Sequence, residues 1–330
     1  QHHDRPQHER QDAEDVPGRD RYRMVAVEDL PQGVQGAGAD VAEHDADRAQ
    51  REGEALLAGL IQSGKQTKDL VVAEKSGARA TEVADEYGVL VTDVVNAVEG
   101  AQYVFIAVKP DGVTEVLRNI ASVDDTGDIE RVVVTLVAGL PLSRYETALQ
   151  AGSSIIRVMP NTPMLVNEAM SAVSPGRYVS DEQLEEVLSL LGAVGKVMVV
   201  PEKLMDAVTA VSGSGPAYAF LLAEAMIDAG VGLGLTRVQA SELAVQTIRG
   251  AGILLSESGL SPVDLRAAVT SPGGTTAEAI REFEASGFRH GVYQAMRACA
   301  AASANAGRRV DVEGLGAAAA GPGESATPRV

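Results

Sequence analysis

The chain reads as a doubly wound, Rossmann-like α/β domain followed by an all-α domain, and three observations predict this. Between residues 54 and 202, short apolar runs alternate with amphipathic helical stretches, the pattern of a sheet covered by helices on both faces. The runs are nearly continuously apolar, as strands buried on both sides must be. After Glu202 they stop, and the remainder is rich in Ala and Gly and carries repeated helix-start signals.

Residues 1–50 differ from the rest, being rich in Gln, Asp, Arg and His with no sustained period. The piece at 24–27 could form a strand, but nothing beside it supports a place in a sheet. We expect this segment to be disordered or the product of a reading-frame error. A helix over 54–64 (EALLAGLIQSG) ends at a glycine, a buried strand covers 69–74 (DLVVAE), and a second glycine-ended helix covers 78–88. Strands follow at 103–110 (YVFIAVKP), 131–139 (RVVVTLVAG), 154–163 (SIIRVMPNTP) and 196–202 (KVMVVPE), with a helix over 113–120.

In the second half, a helix, a Gly-Ser-Gly-Pro break at 213–216 and another helix come first. Thr236 and Gln239 then form a capping-box pair, Ser261 caps a helix with Pro262 at its first position, and Thr275 with Glu278 repeats the capping box. A last helix is expected over 289–301. The helix faces are too apolar for a lone monomer, and the tail 304–330 reads as disordered. The patterning therefore divides the chain into an α/β part at 51–201 and a helical part at 202–303.

Composition narrows the chemistry. The formal charge of -18 argues against nucleic acid or an anionic membrane as partner, since phosphate neutralisation needs basic patches. No apolar run reaches membrane-spanning length. The one cysteine, Cys299, allows no disulfide framework or thiolate metal site, which suits a reducing, cytoplasmic compartment. Of the histidines, only His290 lies in a segment that looks folded, so Ser-His-Asp, Cys-His and zinc hydrolase mechanisms lack their central group.

Ligands of such a sheet bind beyond the carboxyl ends of its strands. Glu74 could accept from a ribose 2′-hydroxyl, or Lys75 and Arg79 could hold a 2′-phosphate; a surface ion pair is the plainer alternative. Lys109 ends a buried strand, where a cation needs an anion. Asn161 could bond a nicotinamide amide or simply stabilise its Pro-Asn-Thr-Pro turn. The G-x-G-x-x-G fingerprint is missing: Gly53, opening the helix at Glu54, fits only its last glycine, and 33–38 (GVQGAG) has the wrong order and stands well before any helix.

The most informative stretch is 269–276 (VTSPGGTT). Pro272 stiffens the turn, Gly273 and Gly274 let backbone N–H groups approach a ligand, and the helix starting at Thr275 and Thr276 favours a carboxylate. A capped Pro-Gly-Gly turn is the bland alternative.

Together, 208–226 (VTAVSGSGPAYAFLLAEAM), 265–289 (LRAAVTSPGGTTAEAIREFEASGFR), 107–110 (AVKP) and 157–163 (RVMPNTP) resemble pyrroline-5-carboxylate reductase. The resemblance covers about residues 53–303. It implies hydride transfer from NADPH or NADH to the C=N carbon of 1-pyrroline-5-carboxylate, giving L-proline, in an interlocked homodimer that assembles further in some members. It implies that Ala107, Val108, Lys109, Pro110, Ala138 and Gly139 line the cofactor. Thr275 and Thr276 would hold the carboxylate and ring nitrogen, with Ser271, Gly273 and Gly274 shaping the loop, Glu202 near the substrate and Thr276 as candidate acid. Ala268 stands where family members often carry a polar side chain. No metal is implied.

The chain departs from the family before Gly53, where the first strand and glycine loop are expected, and after Ser303. Competing readings are an inactive copy acting as a helical dimerisation protein, or a hydroxy-acid-type dehydrogenase. The latter would normally carry a catalytic Lys on a helix of its second domain, and no Lys stands between Leu204 and the C-terminus.

Overall fold

The computed structural model describes residues 51–123 and 130–306 in full, and describes as backbone the strand Tyr22–Val25 and helical residues 39–50 and 307–315. The described strands form one sheet, in the order β3 (Leu90–Thr92), β2 (Leu70–Ala73), β1 (Tyr22–Val25), β4 (Tyr103–Ile106), β5 (Val132–Thr135), β6 (Ser154–Met159), β7 (Ala169–Pro175) and β8 (Gly195–Val199). All neighbours are parallel except β6 and β7. Strand order runs outward from β1 in both directions, so the switch point lies between β1 and β4.

Alternate side chains of each central strand serve opposite faces. Leu70, Val72, Tyr103 and Phe105 join α1 (Ala39–Gln62), α2 (Gly77–Tyr87) and α6 (Asp181–Gly192) through Leu56, Leu57, Leu60, Val83, Val187 and Leu191. Val71, Ala73, Val104 and Ile106 instead meet Val94, Val98, Val116, Leu117 and Tyr145 of α3 (Val94–Val98), α4 (Val113–Ser122) and α5 (Leu142–Ala148).

Several expectations are corrected. Tyr22–Val25 is not a stray apolar piece: it pairs in register with both Leu70–Ala73 and Tyr103–Ile106 and fills the place of the missing first strand. Four residues are too few to show a period, yet enough to satisfy the facing backbone groups of β2 and β4. Helix α1 begins at Ala39 rather than Glu54, because the Ala, Glu, Gln and Arg of 39–52 favour helix without an apolar stripe. Gly53 is thus interior to a helix, and 33–38 immediately precede one; those six residues themselves lie outside the described set, as do 1–21 and 316–330. At the other end α12 (Phe288–Leu315) continues well past residue 301. Strands β3 and β7 were not expected from the sequence.

Beyond residue 202 come α7 (Met205–Val208), a π-turn at Thr209–Gly213, α8 (Gly215–Gly232), α9 (Arg237–Glu257), α10 (Pro262–Ala268), α11 (Thr275–Ala285) and α12. The Thr236–Gln239 capping box and the Ser261 cap form as expected. These helices build little core of their own. Among the described residues only Met205, Ala210, Ala240 and Ala244 are buried apolar groups there, whereas Phe220, Leu221 and Val238 are 66%, 65% and 77% exposed. A single chain leaves this apolar surface uncovered. The helical part meets the sheet through Met159, Ala172 and Met205, with Ala138, Val200 and Val208 packed around them.

Candidate active site

The carboxyl edge of the sheet supplies the first half of the site. Past β4, Ala107 and Val108 are 5% and 3% exposed. Lys109 follows at the surface, where its carbonyl accepts from Gly112 N at 3.1 Å and helps turn the chain into α4. No hydrogen bond or ion pair holds its ammonium among the described residues. Pro110 is exposed beside it. Past β5, Leu136 N still donates to Ile106 O at 2.9 Å, and Val137 N donates to Thr135 Oγ1 at 3.2 Å. That hydroxyl also meets Tyr145 OH at 2.6 Å, and burial drives the phenol pKa far up. Ala138 and Gly139 then turn the chain, Gly139 at φ 80°, a conformation that favours glycine. The result is a small-residue ledge between β4 and β5 with one cation at its rim.

The edge of β2 is already occupied by internal bonds. Glu74 Oε1 accepts from Ser76 N at 2.8 Å, and Lys75 Nζ pairs with Glu115 Oε2 at 2.8 Å. Arg79 binds Glu82 and Glu54; the Glu82 bond, chief among these contacts, raises its pKa. The surface ion-pair alternative for Lys75 is the one found.

Asn161 is 8% exposed, and both ends of its amide are bonded. Nδ2 donates to Ser212 O at 3.0 Å, and Oδ1 accepts from Met170 N at 2.9 Å. It clamps β7 and the π-turn together, through partners outside its own Pro-Asn-Thr-Pro turn. The π-turn approaches β6 so closely that a Cβ on Gly213 would stand 2.6 Å from Met159 Cε. Glu202 Oε1 accepts from Leu142 N at 2.6 Å and from Arg157 Nη1 at 3.2 Å. Arg157, 5% exposed, was overlooked in the sequence, although an arginine inside the apolar run SIIRVM was the signal.

The second half of the site is the loop from α10 to α11. Gly273 has φ 69°, and Gly274 N donates to Ser271 O at 3.0 Å, closing a tight turn. Gly274 itself is the N-cap, with no side-chain cap bond. The Thr275–Glu278 capping box is therefore a misreading: Thr275 is the first helical residue, one position too late to cap. The first N–H groups of α11 are left without a capping side chain, with Ser271 and Thr275 exposed and Thr276 half-buried. Free N–H groups at a helix start favour an anion.

Among the described residues, no hydrogen bond or ion pair joins 262–287 to the α/β domain. Sequence reasoning also missed the support of the π-turn, where Tyr218 OH donates to Ala210 O at 3.2 Å and Ser214 Oγ meets Cys299 Sγ at 3.2 Å.

A doubly wound domain with a small-residue ledge at its carboxyl edge, joined to helices that cannot bury their own faces, defines a dinucleotide-dependent oxidoreductase with a dimerisation domain. Residues 51–139 match the family NADP oxidoreductase coenzyme F420-dependent, and residues 202–306 match pyrroline-5-carboxylate reductase dimerisation. The chain is 48% identical over 266 residues to pyrroline-5-carboxylate reductase of Mycobacterium tuberculosis, covering 74% of this chain and 90% of that protein. It is 39% identical to the Escherichia coli reductase, covering 75% and 91%. The solved structure of the Coxiella burnetii reductase superposes with TM-score 0.75 at 29% identity, covering 87% and 98%. That of the Plasmodium falciparum reductase with NADP bound gives 0.71 at 26%, also covering 87% and 98%. The chain belongs to the pyrroline-5-carboxylate reductase family.

Proposed function

We propose that this chain reduces 1-pyrroline-5-carboxylate to L-proline with NAD(P)H, acting as a homodimer. The observation that carries this is the α10–α11 turn, an uncapped helix start behind Ser271–Gly274 within the segment matched to the reductase dimerisation family. The substrate carboxylate would sit on the first N–H groups of α11, with Gly273 and Gly274 admitting it closely. Thr276 would donate a hydrogen bond to the ring nitrogen, and Thr275 would bond the carboxylate. Ala107, Val108, Ala138 and Gly139 would form the floor for the nicotinamide, with Lys109 beside its ribose or phosphate.

When bound, NAD(P)H supplies the hydride. An imine carbon is already electrophilic, so the protein's task is to align the two carbons, exclude water and match the carboxylate. That division of labour fits a site without His or Cys. The uncovered faces of α8 and α9, and the lack of any hydrogen bond or ion pair between the two half-sites among the described residues, support assembly from two copies, in which the loop and the ledge would be brought together. No helix among the described residues is long and apolar enough to cross a membrane, and the single cysteine suits the cytoplasm.

The test is NADPH oxidation followed by absorbance with pyrroline-5-carboxylate as acceptor, beside an NADPH-binding titration. Oxidation dependent on the imine supports the reading. Binding without turnover sinks it in favour of a non-catalytic dimerisation protein.

A further inference from the structure

We infer that Tyr145 is a positioning residue for hydride transfer, acting through Thr135 on the ledge proposed above as the nicotinamide floor. The inference rests on that NAD(P)H reading and adds to it what holds the ledge in shape.

Thr135 ends β5, standing opposite Ile106 of β4 and Arg157 of β6. Leu136 N still reaches the carbonyl of Ile106. At Val137 the chain leaves the sheet, its N–H donating to Thr135 Oγ1 at 3.2 Å. A threonine hydroxyl that takes the amide two residues on bends the backbone into a turn. Ala138 and Gly139 follow at once, Gly139 at φ 80°. One side-chain oxygen thus sets the direction in which the ledge leaves β5.

Threonine has more than one staggered χ1, so that oxygen needs a second partner to stay in place. Tyr145 supplies it: its hydroxyl lies 2.6 Å from Thr135 Oγ1, and both residues are fully buried. The ring is held in turn by one cluster with Val133, Val137, Leu140 and Leu142. Because Tyr145 stands on α5, directly beyond the ledge, its bond to Thr135 closes residues 136–141 into a pinned loop. The far end of that loop carries a second pin, Leu142 N to Glu202 Oε1 at 2.6 Å. Packing alone would be served by phenylalanine, and a buried hydroxyl is costly unless bonded. Burial also raises the phenol pKa, so the group keeps its proton and works as a fixed hydrogen-bonding post.

Hydride transfer needs the reacting atoms about 3–3.5 Å apart, and a displacement of about 1 Å costs on the order of 10²-fold. A ledge that shifts by part of that distance moves the nicotinamide carbon away from the imine. Loss of the Tyr145 hydroxyl should therefore act on turnover more than on cofactor affinity.

Tyr145→Phe keeps the ring and removes only the post. In the cofactor-free chain, hydrogen exchange at residues 136–141 should quicken at least tenfold, with β2 and β4 at the parent's rates. With NADPH and pyrroline-5-carboxylate, kcat should fall about tenfold while the dissociation constant of NADPH stays within about threefold. Thr135→Ser retains the hydroxyl and should keep the parent's kcat, whereas Thr135→Val should lose at least as much as Tyr145→Phe. Combining Tyr145→Phe with Thr135→Val should be no slower than the slower single variant, since both remove one device. Exchange at 136–141 equal to the parent's, or quickened across the whole sheet, overturns the inference. So does an unchanged kcat, a loss carried by NADPH affinity instead of kcat, or additive losses in the double variant. If the parent reduces no imine, the proposed reaction fails, and the inference is then decided by exchange at 136–141 and by the emission of bound NADPH. The chain has no tryptophan, so that emission is read directly. Tyr145→Phe should lower its enhancement at unchanged affinity, and an enhancement equal to the parent's overturns the inference.

Discussion

The side chain of Asn161 donates to the carbonyl of Ser212 at 3.0 Å, tying the end of β6 to the π-turn that opens the helical domain. Its oxygen accepts from Met170 N at 2.9 Å, so one buried amide serves two backbone groups 42 residues apart in Met170 and Ser212. Asn161→Leu leaves both without their partner, and each unsatisfied group costs on the order of 1–2 kcal/mol. We expect a loss of about 2 kcal/mol in urea unfolding, with Asn161→Asp intermediate because it retains the acceptor. A leucine variant as stable as the parent would remove the clamp from the account.

Glu202 and Arg157 form a second join between the domains. The arginine is the buried member, so removing the acid strands a charge, while replacing both with apolar groups does not. Glu202 is partly exposed, its side chain 32% accessible, which keeps the expected cost of Glu202→Leu at the low end, about 3 kcal/mol. The double variant Glu202→Leu with Arg157→Met should recover more than half of that. A double-mutant cycle by thermal and chemical unfolding decides; strictly additive losses contradict the pairing.

How much could be read from the chain varied with the physics of each piece. Strands β2, β4, β5 and β6 were legible because burial on both faces forces continuous apolar runs. Strand β7, AMSAVSP, was not: its small and hydroxylated residues carry no hydrophobic signature, and its place comes from pairing with β6 and β8. Tyr22–Val25 was illegible for want of length, since its partners lie 48 and 81 residues away at Leu70 and Tyr103. In the site, the Ser271–Thr276 turn was legible through proline, two glycines and a helix start, but the cap shifted by one residue, from Thr275 to Gly274. Asn161 carried two local readings, and neither named the partner the fold gives it, Ser212, because that residue lies 51 positions further on.

Asp93 caps α3 by accepting from Asn96 N at 3.0 Å, and the Asn96 backbone N–H, with the Asn96 side chain next, holds its carboxyl below the usual aspartate range. A depressed folded-state pKa contributes stability that is complete above the unfolded value and is lost as pH falls through the folded one. Asp93→Asn keeps an acceptor without the charge, so the parent's melting temperature should fall more steeply than the variant's below about pH 4. Above pH 5 the gap between the two should be constant. Parallel curves throughout the acid range contradict the assignment.

Phe220 and Leu221 on α8, at 66% and 65% exposure, leave apolar surface open within the segment matched to reductase dimerisation, a surface suited to cover by a second copy. Placing a charge there, Phe220→Asp, sets an unpaired carboxylate against an apolar interface. The expected outcome is at least a tenfold weaker dimer by analytical ultracentrifugation, with the ordered α/β domain intact by hydrogen exchange. Activity should fall with the dimer population if the α10–α11 turn of one protomer completes the ledge of its partner. A variant that stays dimeric at the parent's concentration removes α8 from the interface.

Thr276 is the sharpest test of the chemistry. It stands second in α11, half-buried, just after Gly273 and Gly274 and beside the uncapped N–H groups of the helix start. A donor that strengthens its bond as the ring nitrogen gains basicity acts mainly in the transition state, and removing such a donor costs about 10²-fold or more in turnover. Thr276→Ala should therefore lower kcat by that order while the binding of reduced nicotinamide, proposed above to rest on the ledge after β4 and β5, stays within twofold. Thr276→Ser restores the hydroxyl and should recover most of the rate. If the alanine variant turns over at the parent's rate, Thr276 is no proton or hydrogen-bond donor, and the carboxylate-binding N–H groups of α11 must account for the turn's contribution by themselves.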